Sequence, residues 1–394
     1  MSKPVETWLL PDGVQDVLPA EAHRLEGLRR QVLDQFAAWG YELVFPPLME
    51  YLGSLLTGSG HDLDLMTFKI TDQLTGRMMG VRADITPQVA RLDAHSIPVH
   101  RPARYCYAGT TLNTRPQGLA ASRCPVQIGA ELYGHAGVES DIEILRLMLD
   151  TLQLAGCKNI HLDLGHVGIF RALAESARIS AADEARLFDI YQRKASAELQ
   201  AEVPQLVADA TLREALLALI RLSGDRSVLA QARQTLVAAS SDVAQALNAL
   251  DAVAEAIAAS HPDVTLYFDL TELRGYHYHT GLVFAAYVAG ERQEVAKGGR
   301  YDHVGEAFGR ARPATGFSTD LKTLLQFTSA QAAPAAVFAP AGEDAALRAA
   351  MAALRAQGER VVQALPGQQG EPQEFGCDRA LVLEDGRWLT RPLP

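Results

Sequence analysis

The chain has 394 residues, of which 48% are hydrophobic, 21% charged and 7% aromatic, and it carries a formal net charge of −11. That is ordinary globular composition, long enough for one large domain with one or two smaller ones. The acidic balance argues against a dedicated nucleic-acid binder, whose affinity comes largely from neutralising phosphates, and no run of Lys or Arg exceeds the pair Arg29–Arg30.

In chain order, the opening Met1–Trp8 lacks the apolar run of a secretory signal. Residues 21–39 then predict an amphipathic helix. Leu25, Leu28, Val32, Phe36 and Trp39 recur at the helical period, Pro19 stands just ahead, and Gly40 stops the run. A β-rich stretch at 41–45 meets Pro46-Pro47. Residues 67–71 and 77–81 predict a hairpin around Thr75-Gly76, and 104–109 with 126–133 predict two further strands. A helix is expected over 138–154, where Ile142, Leu145, Leu149 and Leu152 share a face, followed by a strand at 159–164. The Ala- and Leu-rich stretch 170–260 reads as several helices. Strand character returns at 264–269, 281–288 and 292–296. An Ala-rich linker is expected at 329–341, and a short α/β tail after it. A mostly antiparallel core interrupted by helices places the chain in the α+β class. The expected division is 1–168 and 261–327 as two parts of one core, 169–260 as a helical insertion, and 328–394 as linker and small α/β domain.

Cys106, Cys124, Cys157 and Cys377 stand far apart without a Cys-x-x-Cys pair, which suits reduced thiols in a cytoplasmic protein. No stretch approaches the ~20 apolar residues that span a bilayer, so no membrane contact is expected.

Three segments concentrate chemistry: 82–91 (Arg-Ala-Asp-Ile-Thr-Pro-Gln-Val-Ala-Arg), 107–109 running on to 127–131, and 273–281 followed by 297–302. Each mixes acceptors with a fixed cation. Asp84, Gln127 and Glu131 can bind an ammonium or a ring N–H, and Arg274 offers a planar fork suited to a carboxylate. Together they describe a pocket for a small zwitterion. Taken singly, Asp84 reads equally well as a capping residue, Glu131 as a solvated strand residue and Arg274 as half of a surface ion pair. Gly298-Gly299 lacks a phosphate-loop frame and reads as a backbone turn. The group His277, His279, Asp302 and His303 matches no zinc spacing, so neither a metal nor a cofactor is expected. No nucleophile elbow is present.

From about Pro11 to Phe327 the chain resembles the catalytic core of histidyl-tRNA synthetase, a class II aminoacyl-tRNA synthetase. The resemblance rests on the opening Pro11–Pro19, on the helix–strand unit ending Phe45-Pro-Pro-Leu-Met-Glu50 (motif 1), and on two signatures, 274–281 and 298–302. It implies an antiparallel sheet flanked by helices. It places Asp84, Thr86 and Gln127 near the α-amino group of a bound histidine, Glu131 and Tyr278 against its imidazole, and Arg274 at its carboxylate. His279 replaces a ring-contacting tyrosine of the family.

The nucleotide half of that family's site is altered. In-line attack on ATP builds charge that fixed cations must stabilise. Asn113 stands where motif 2 has an Arg, Arg115 aligns with a Glu, and Asp320 and Thr323 replace a Gly and an Arg of motif 3. An amide cannot supply a guanidinium's charge or fork. Arg123 retains a basic position and is a candidate anion site. Adenylate formation is therefore expected to be absent.

A synthetase-like chain with a surviving histidine pocket resembles the regulatory subunit of ATP phosphoribosyltransferase, the first enzyme of histidine biosynthesis. The resemblance implies a short-form catalytic subunit as partner, a hetero-octamer, regulatory chains paired through motif 1, and L-histidine as feedback effector. A working histidyl-tRNA synthetase and a stand-alone histidine-binding module are the alternatives.

Overall fold

The computed structural model describes residues 9–57, 61–97, 99–116, 122–276, 278–329 and 335–394. The described residues through Val17 form one compact unit with Leu25–Thr328, and Leu18–Arg24 group with the described part of Ser329–Pro394 as a second.

The first unit is built on a nine-stranded sheet. Its spatial order is Glu42–Leu43, Ala103–Thr110, Val126–Tyr133, Ala314–Asp320, Ala296–Arg300, Leu282–Val288, Ile160–His166, Thr265–Asp269 and Ser223–Gly224. The five ladders between Ala103–Thr110 and Ile160–His166 are all antiparallel. Period-two alternation then sorts each strand between two faces. Ile128, Ala130 and Leu132 enter the main core with Leu28, Val32 and Phe36 of the helix Pro19–Ala38 and with Ile144, Leu145 and Met148 of Val138–Leu154. Phe36 meets Phe317 edge-on at 5.9 Å between ring centroids. Gln127, Gly129, Glu131 and Tyr133 consequently share the other face, where Tyr105, Tyr107 and Tyr301 form a second cluster.

The helical insertion consists of Val167–Ser176, Ala181–Gln192, Ser196–Leu206, Ala210–Leu219, Ser227–Leu236 and Ser241–Ser260. Two starts are fixed by side-chain caps: Ser180 accepts from Asp183 N, and Asp209 from Thr211 N and Leu212 N. The expected hairpin forms as Phe68–Thr71 and Met78–Val81, with Met49–Tyr51 as a third strand.

Two expectations fail here. Residues 292–295 are not a strand; the strand is Ala296–Arg300. Gly298-Gly299 is therefore not a turn but the middle of that strand. A Cβ on Gly298 would strike the Phe284 ring at 2.7 Å, and one on Gly299 would strike the His279 ring at 2.8 Å. Close packing, rather than φ freedom, demands these glycines.

In the second unit, four strands run in the order Arg360–Gln363, Ala336–Ala339, Cys377–Glu384, Arg387–Pro392. The helix Ala345–Ala356, capped by Asp344, lays Leu347 and Met351 on Val337, Ala339 and Leu381. Part of the expected linker 329–341 lies outside the described residues, and its end is the strand Ala336–Ala339, buried at Val337 and Ala339. The last strand, Arg387–Pro392, carries no clear alternation in sequence. Among the described residues no helix is long and apolar enough to cross a membrane.

Candidate ligand-binding site

The site begins where the helix Thr86–Arg91 abuts the Gln127 strand. The buried Arg82 guanidinium donates from Nε to Thr110 O at 3.0 Å and from Nη1 to Pro46 O at 2.8 Å, fixing the entry to this segment. Asp84 Oδ1 then accepts from Thr86 N at 3.0 Å and from Gln127 Nε2 at 2.7 Å. Gln127 Oε1 in turn accepts from Ile85 N at 2.9 Å. These reciprocal bonds hold Asp84 and Gln127 as one acceptor-bearing edge.

Deeper on the same face lies Glu131, only 1% exposed. Its Oε1 accepts from Thr86 Oγ1 at 3.0 Å and Tyr107 OH at 3.1 Å, while its Oε2 accepts from Tyr301 OH. Burial pushes the Glu131 carboxyl up to about 8 against the opposing pull of these hydroxyls. The carboxyl is thus an acid that stays largely protonated near neutral pH, and in that form its own O–H donates in one of these contacts. Gly316 lies directly across the ladder from Glu131; a Cβ there would sit 2.6 Å from Glu131 Cδ.

The Tyr278 ring rests on Tyr301 with centroids 5.0 Å apart, and His279 meets Tyr278 edge-on at 5.3 Å. The hydroxyl of Tyr278 is buried and finds no hydrogen-bond partner among the described residues. A buried hydroxyl without a partner is costly, so this wall offers a donor to an incoming group. His279 Nδ1 stands 3.3 Å from Arg300 O, which can only accept, so the proton is assigned to Nδ1 and Nε2 is left as acceptor. Burial depresses the His279 imidazole to about 4, keeping it neutral.

The structure therefore brings Asp84, Thr86, Gln127, Glu131, Tyr278 and His279 to one face. Arg274 is placed differently: its side chain, 45% exposed, pairs with Glu272 at 2.9 Å and Glu294 at 3.3 Å and bonds Tyr287 OH at 2.7 Å. Tyr287 lies three strands from Gln127, roughly 15 Å at usual strand spacing. Between them the ladder registers set the small residues Gly316, Gly299, Ser318 and Ala285 on the shared face. Arg274 stands at the far rim of that floor, already occupied by carboxylates.

Tyr107 and Tyr301 carry the Glu131 carboxyl but were not among the residues singled out by sequence. Both lie inside the marked motifs, and an aromatic two or three residues from a motif glycine was the available signal.

At the Val126 end of the Gln127 strand, Asp320 accepts from Val126 N at 2.9 Å, Lys322 N at 3.1 Å and Thr323 Oγ1 at 3.2 Å, capping the helix Leu321–Leu324. Burial raises its carboxyl. Asn113 is 2% exposed, and its Oδ1 has no partner among the described residues. Arg123, the candidate anion site, donates to Asn113 O and Asp12 O, both at 3.1 Å, and so straps the opening turn to this loop. Among the described residues no group of three or more His, Cys, Asp or Glu is placed to hold a metal; His277 lies outside them.

Comparisons with known proteins place this geometry. Residues 13–324 match the family model "Histidyl-tRNA synthetase", and residues 334–391 match "ATP phosphoribosyltransferase subunit HisZ C-terminal domain". An ATP phosphoribosyltransferase regulatory subunit of Thioalkalivibrio sulfidiphilus is 59% identical over 385 residues, 97% of this chain and 98% of that one. A Bacillus halodurans crystal structure described as an ATP phosphoribosyltransferase regulatory subunit/histidyl-tRNA synthetase superposes with a TM-score of 0.81 at 26% identity, covering 95% of this chain and 97% of that one. A chain of the ATP phosphoribosyl transferase (HisG:HisZ) complex of Thermotoga maritima shares the fold, with a TM-score of 0.57 at 16% identity over 75% of this chain and 96% of that one. With a synthetase-type core in front and the HisZ-type domain behind it, the chain belongs to the ATP phosphoribosyltransferase regulatory subunit family.

Proposed function

We propose that this chain is a non-catalytic regulatory subunit that activates the short-form catalytic subunit of ATP phosphoribosyltransferase and carries its feedback inhibition by L-histidine. The observation that carries the reading is the near full-length kinship with regulatory subunits combined with the split fate of the synthetase site. Asp84, Gln127, Glu131 and their hydroxyl partners sit together as a small zwitterion's ammonium and ring would require. Where the synthetase resemblance puts the nucleotide, Asp320 caps the helix Leu321–Leu324 and positions 113 and 323 are Asn and Thr rather than arginines. Losing one transition-state donor typically lowers a rate by ~10²–10³, so two losses leave no useful adenylate chemistry.

In this reading Asp84 and Gln127 take the α-ammonium of histidine, Glu131 and Tyr278 take the ring, and His279 Nε2 adds an acceptor. Arg274 is kept as the carboxylate partner, which requires it to leave Glu272, Glu294 and Tyr287 and swing across the floor toward the Gln127 edge. Arg123 is kept as the anion partner through the guanidinium N–H groups not given to Asn113 O and Asp12 O. The division at 169, 261 and 328 is retained as the domain proposal, in keeping with family matches ending at 324 and resuming at 334. Exposed Leu43, Phe45, Leu48 and Met49 around motif 1, with Phe45 at 73%, support pairing between regulatory chains there. Four chains of each kind in a cytoplasmic hetero-octamer complete the proposal.

Regulation of this kind requires histidine to bind one assembly state better than another; a 5- to 150-fold effect needs ~1–3 kcal/mol of coupling. The test is co-purification with the short catalytic subunit and an assay of phosphoribosyl-ATP formation with and without histidine. Activity is expected only in the complex and is expected to fall with histidine. A catalytic subunit equally active alone would refute the reading. In parallel, histidine-dependent ATP–pyrophosphate exchange by the purified chain is expected to stay at background. Exchange at ordinary synthetase rates would return the chain to tRNA charging.

A further inference from the structure

The segment Glu272–Thr280 touches two different parts of the first unit. Gly275, at φ +64°, reverses the chain, and the amides of Tyr278 and His279 both bond back to Gly275 O at 2.7 Å. In this tight coil Tyr278 and His279 face the Glu131 pocket. Tyr276 goes the other way. Its ring, 3% exposed, lies between Phe170 and Phe188, each 5.5 Å away by centroids. Its hydroxyl donates to Glu184 Oε1 at 2.7 Å, in the first turn of the helix Ala181–Gln192. Arg171, from the helix Val167–Ser176, lies 5.0 Å over the same ring and donates from Nη2 to the carbonyls of Tyr276 and His279, both at 3.2 Å.

We infer that Tyr276 is a positioning residue for histidine, anchoring the pocket-lining coil to the helical insertion so that occupation of the Glu131 pocket is transmitted to the helices Val167–Ser176 and Ala181–Gln192. The inference rests on the proposed reading that histidine occupies that pocket. Its physical basis is a shared anchor. Arg171 bonds the carbonyls of both Tyr276 and His279, so one guanidinium of the insertion ties the anchoring ring and the pocket wall together. A packed coil with two anchors moves between discrete arrangements rather than deforming smoothly.

The test uses the full chain, alone and with its catalytic subunit, and two measurements: calorimetric titration with L-histidine, and amide hydrogen exchange with and without it. In the wild type, histidine is expected to slow exchange in residues 181–192 as well as in 273–281. Tyr276→Phe keeps the ring packing and removes the hydroxyl's bonds to Glu184 and Arg171. It is expected to bind histidine about fivefold more weakly and to lose the histidine-dependent slowing at 181–192 while keeping it at 273–281. Glu184→Gln alone, which retains both the Tyr276 hydroxyl and an acceptor for it, is expected to keep most of that slowing. A purely structural role would change exchange equally with and without ligand, so the histidine-dependent difference is the deciding readout. Unaltered slowing in Tyr276→Phe, or none at 181–192 in the wild type despite binding, overturns the inference. If calorimetry detects no binding by the wild type, the histidine reading itself has failed and this inference goes with it.

Discussion

Replacing Glu131 with glutamine is expected to weaken histidine binding by roughly 10- to 150-fold and to make the fall in affinity above pH 8 shallower. The first number follows from losing a hydrogen bond to a charged group, about 1.5–3 kcal/mol. The second follows from counting protons. The bound pair, carboxyl and imidazole, holds one proton between them. Free Glu131 is held up at about 8 by burial, and a free imidazole titrates near ~6.5. Between these values the separated partners also hold one proton, carried by Glu131, so binding exchanges none and affinity is level. Above about 8 a proton must be taken up, and below ~6.5 one must be released; either way affinity falls tenfold per unit. Glutamine imitates the protonated acid and cannot ionise, so only the decline caused by deprotonation of the ligand's α-ammonium remains. Calorimetric titrations from pH 6 to 9 on both proteins decide it. Parallel alkaline declines in the two would remove Glu131 from the ring-binding role.

The same shift sets the stability of the empty protein. Because the folded value lies above the ordinary 4.5, the folded state keeps a proton that the unfolded chain has lost. Stability from this group is therefore complete below about 4.5 and drains away as pH rises to about 8. Thermal melts of Glu131→Gln should lose less stability than wild type over that interval.

How much of this was legible in the sequence depends on the distance over which each feature is determined. Helices were plain: the 138–154 pattern became Val138–Leu154, because one apolar face dictates both length and orientation. The strand expected at 126–133 forms, and its two-residue period puts Gln127 and Glu131 on one face. What failed was information held by other strands. Gly298-Gly299 reads as a turn until Phe284 and His279 are known to lie over it. The meeting of Thr86, Tyr107 and Tyr301 on one carboxyl joins segments far apart in sequence, and no local spacing encodes it. Arg274 was expected at the ligand and instead sits among Glu272, Glu294 and Tyr287. A guanidinium without its carboxylate ligand takes the nearest anions instead.

Gly316→Ala is the substitution expected to do most damage for the fewest atoms. Gly316 has no positive φ to protect, so the argument is space alone. Its missing Cβ leaves the volume into which the Glu131 carboxyl and the Tyr301 hydroxyl converge, with Tyr301 OH only 2.7 Å from where that carbon would be. Neither neighbour can yield cheaply. Glu131 is held by Thr86 and Tyr107 from one side, and Tyr301 is stacked on Tyr278 from the other. The methyl must therefore displace the carboxyl and break at least one of its bonds, with overpacking costing ~1–3 kcal/mol of stability. Histidine binding is expected to fall more than in Glu131→Gln, since both the acceptor and the ring wall move. Gly27→Ala is the control: this glycine lies inside the helix Pro19–Ala38, and a Cβ there meets nothing within 4 Å. It is expected to gain ~0.5–1 kcal/mol from helix propensity and to bind histidine as wild type does. If Gly316→Ala melts and binds like Gly27→Ala, the carboxyl does not occupy that space, and the ligand pocket must be sought elsewhere on the sheet.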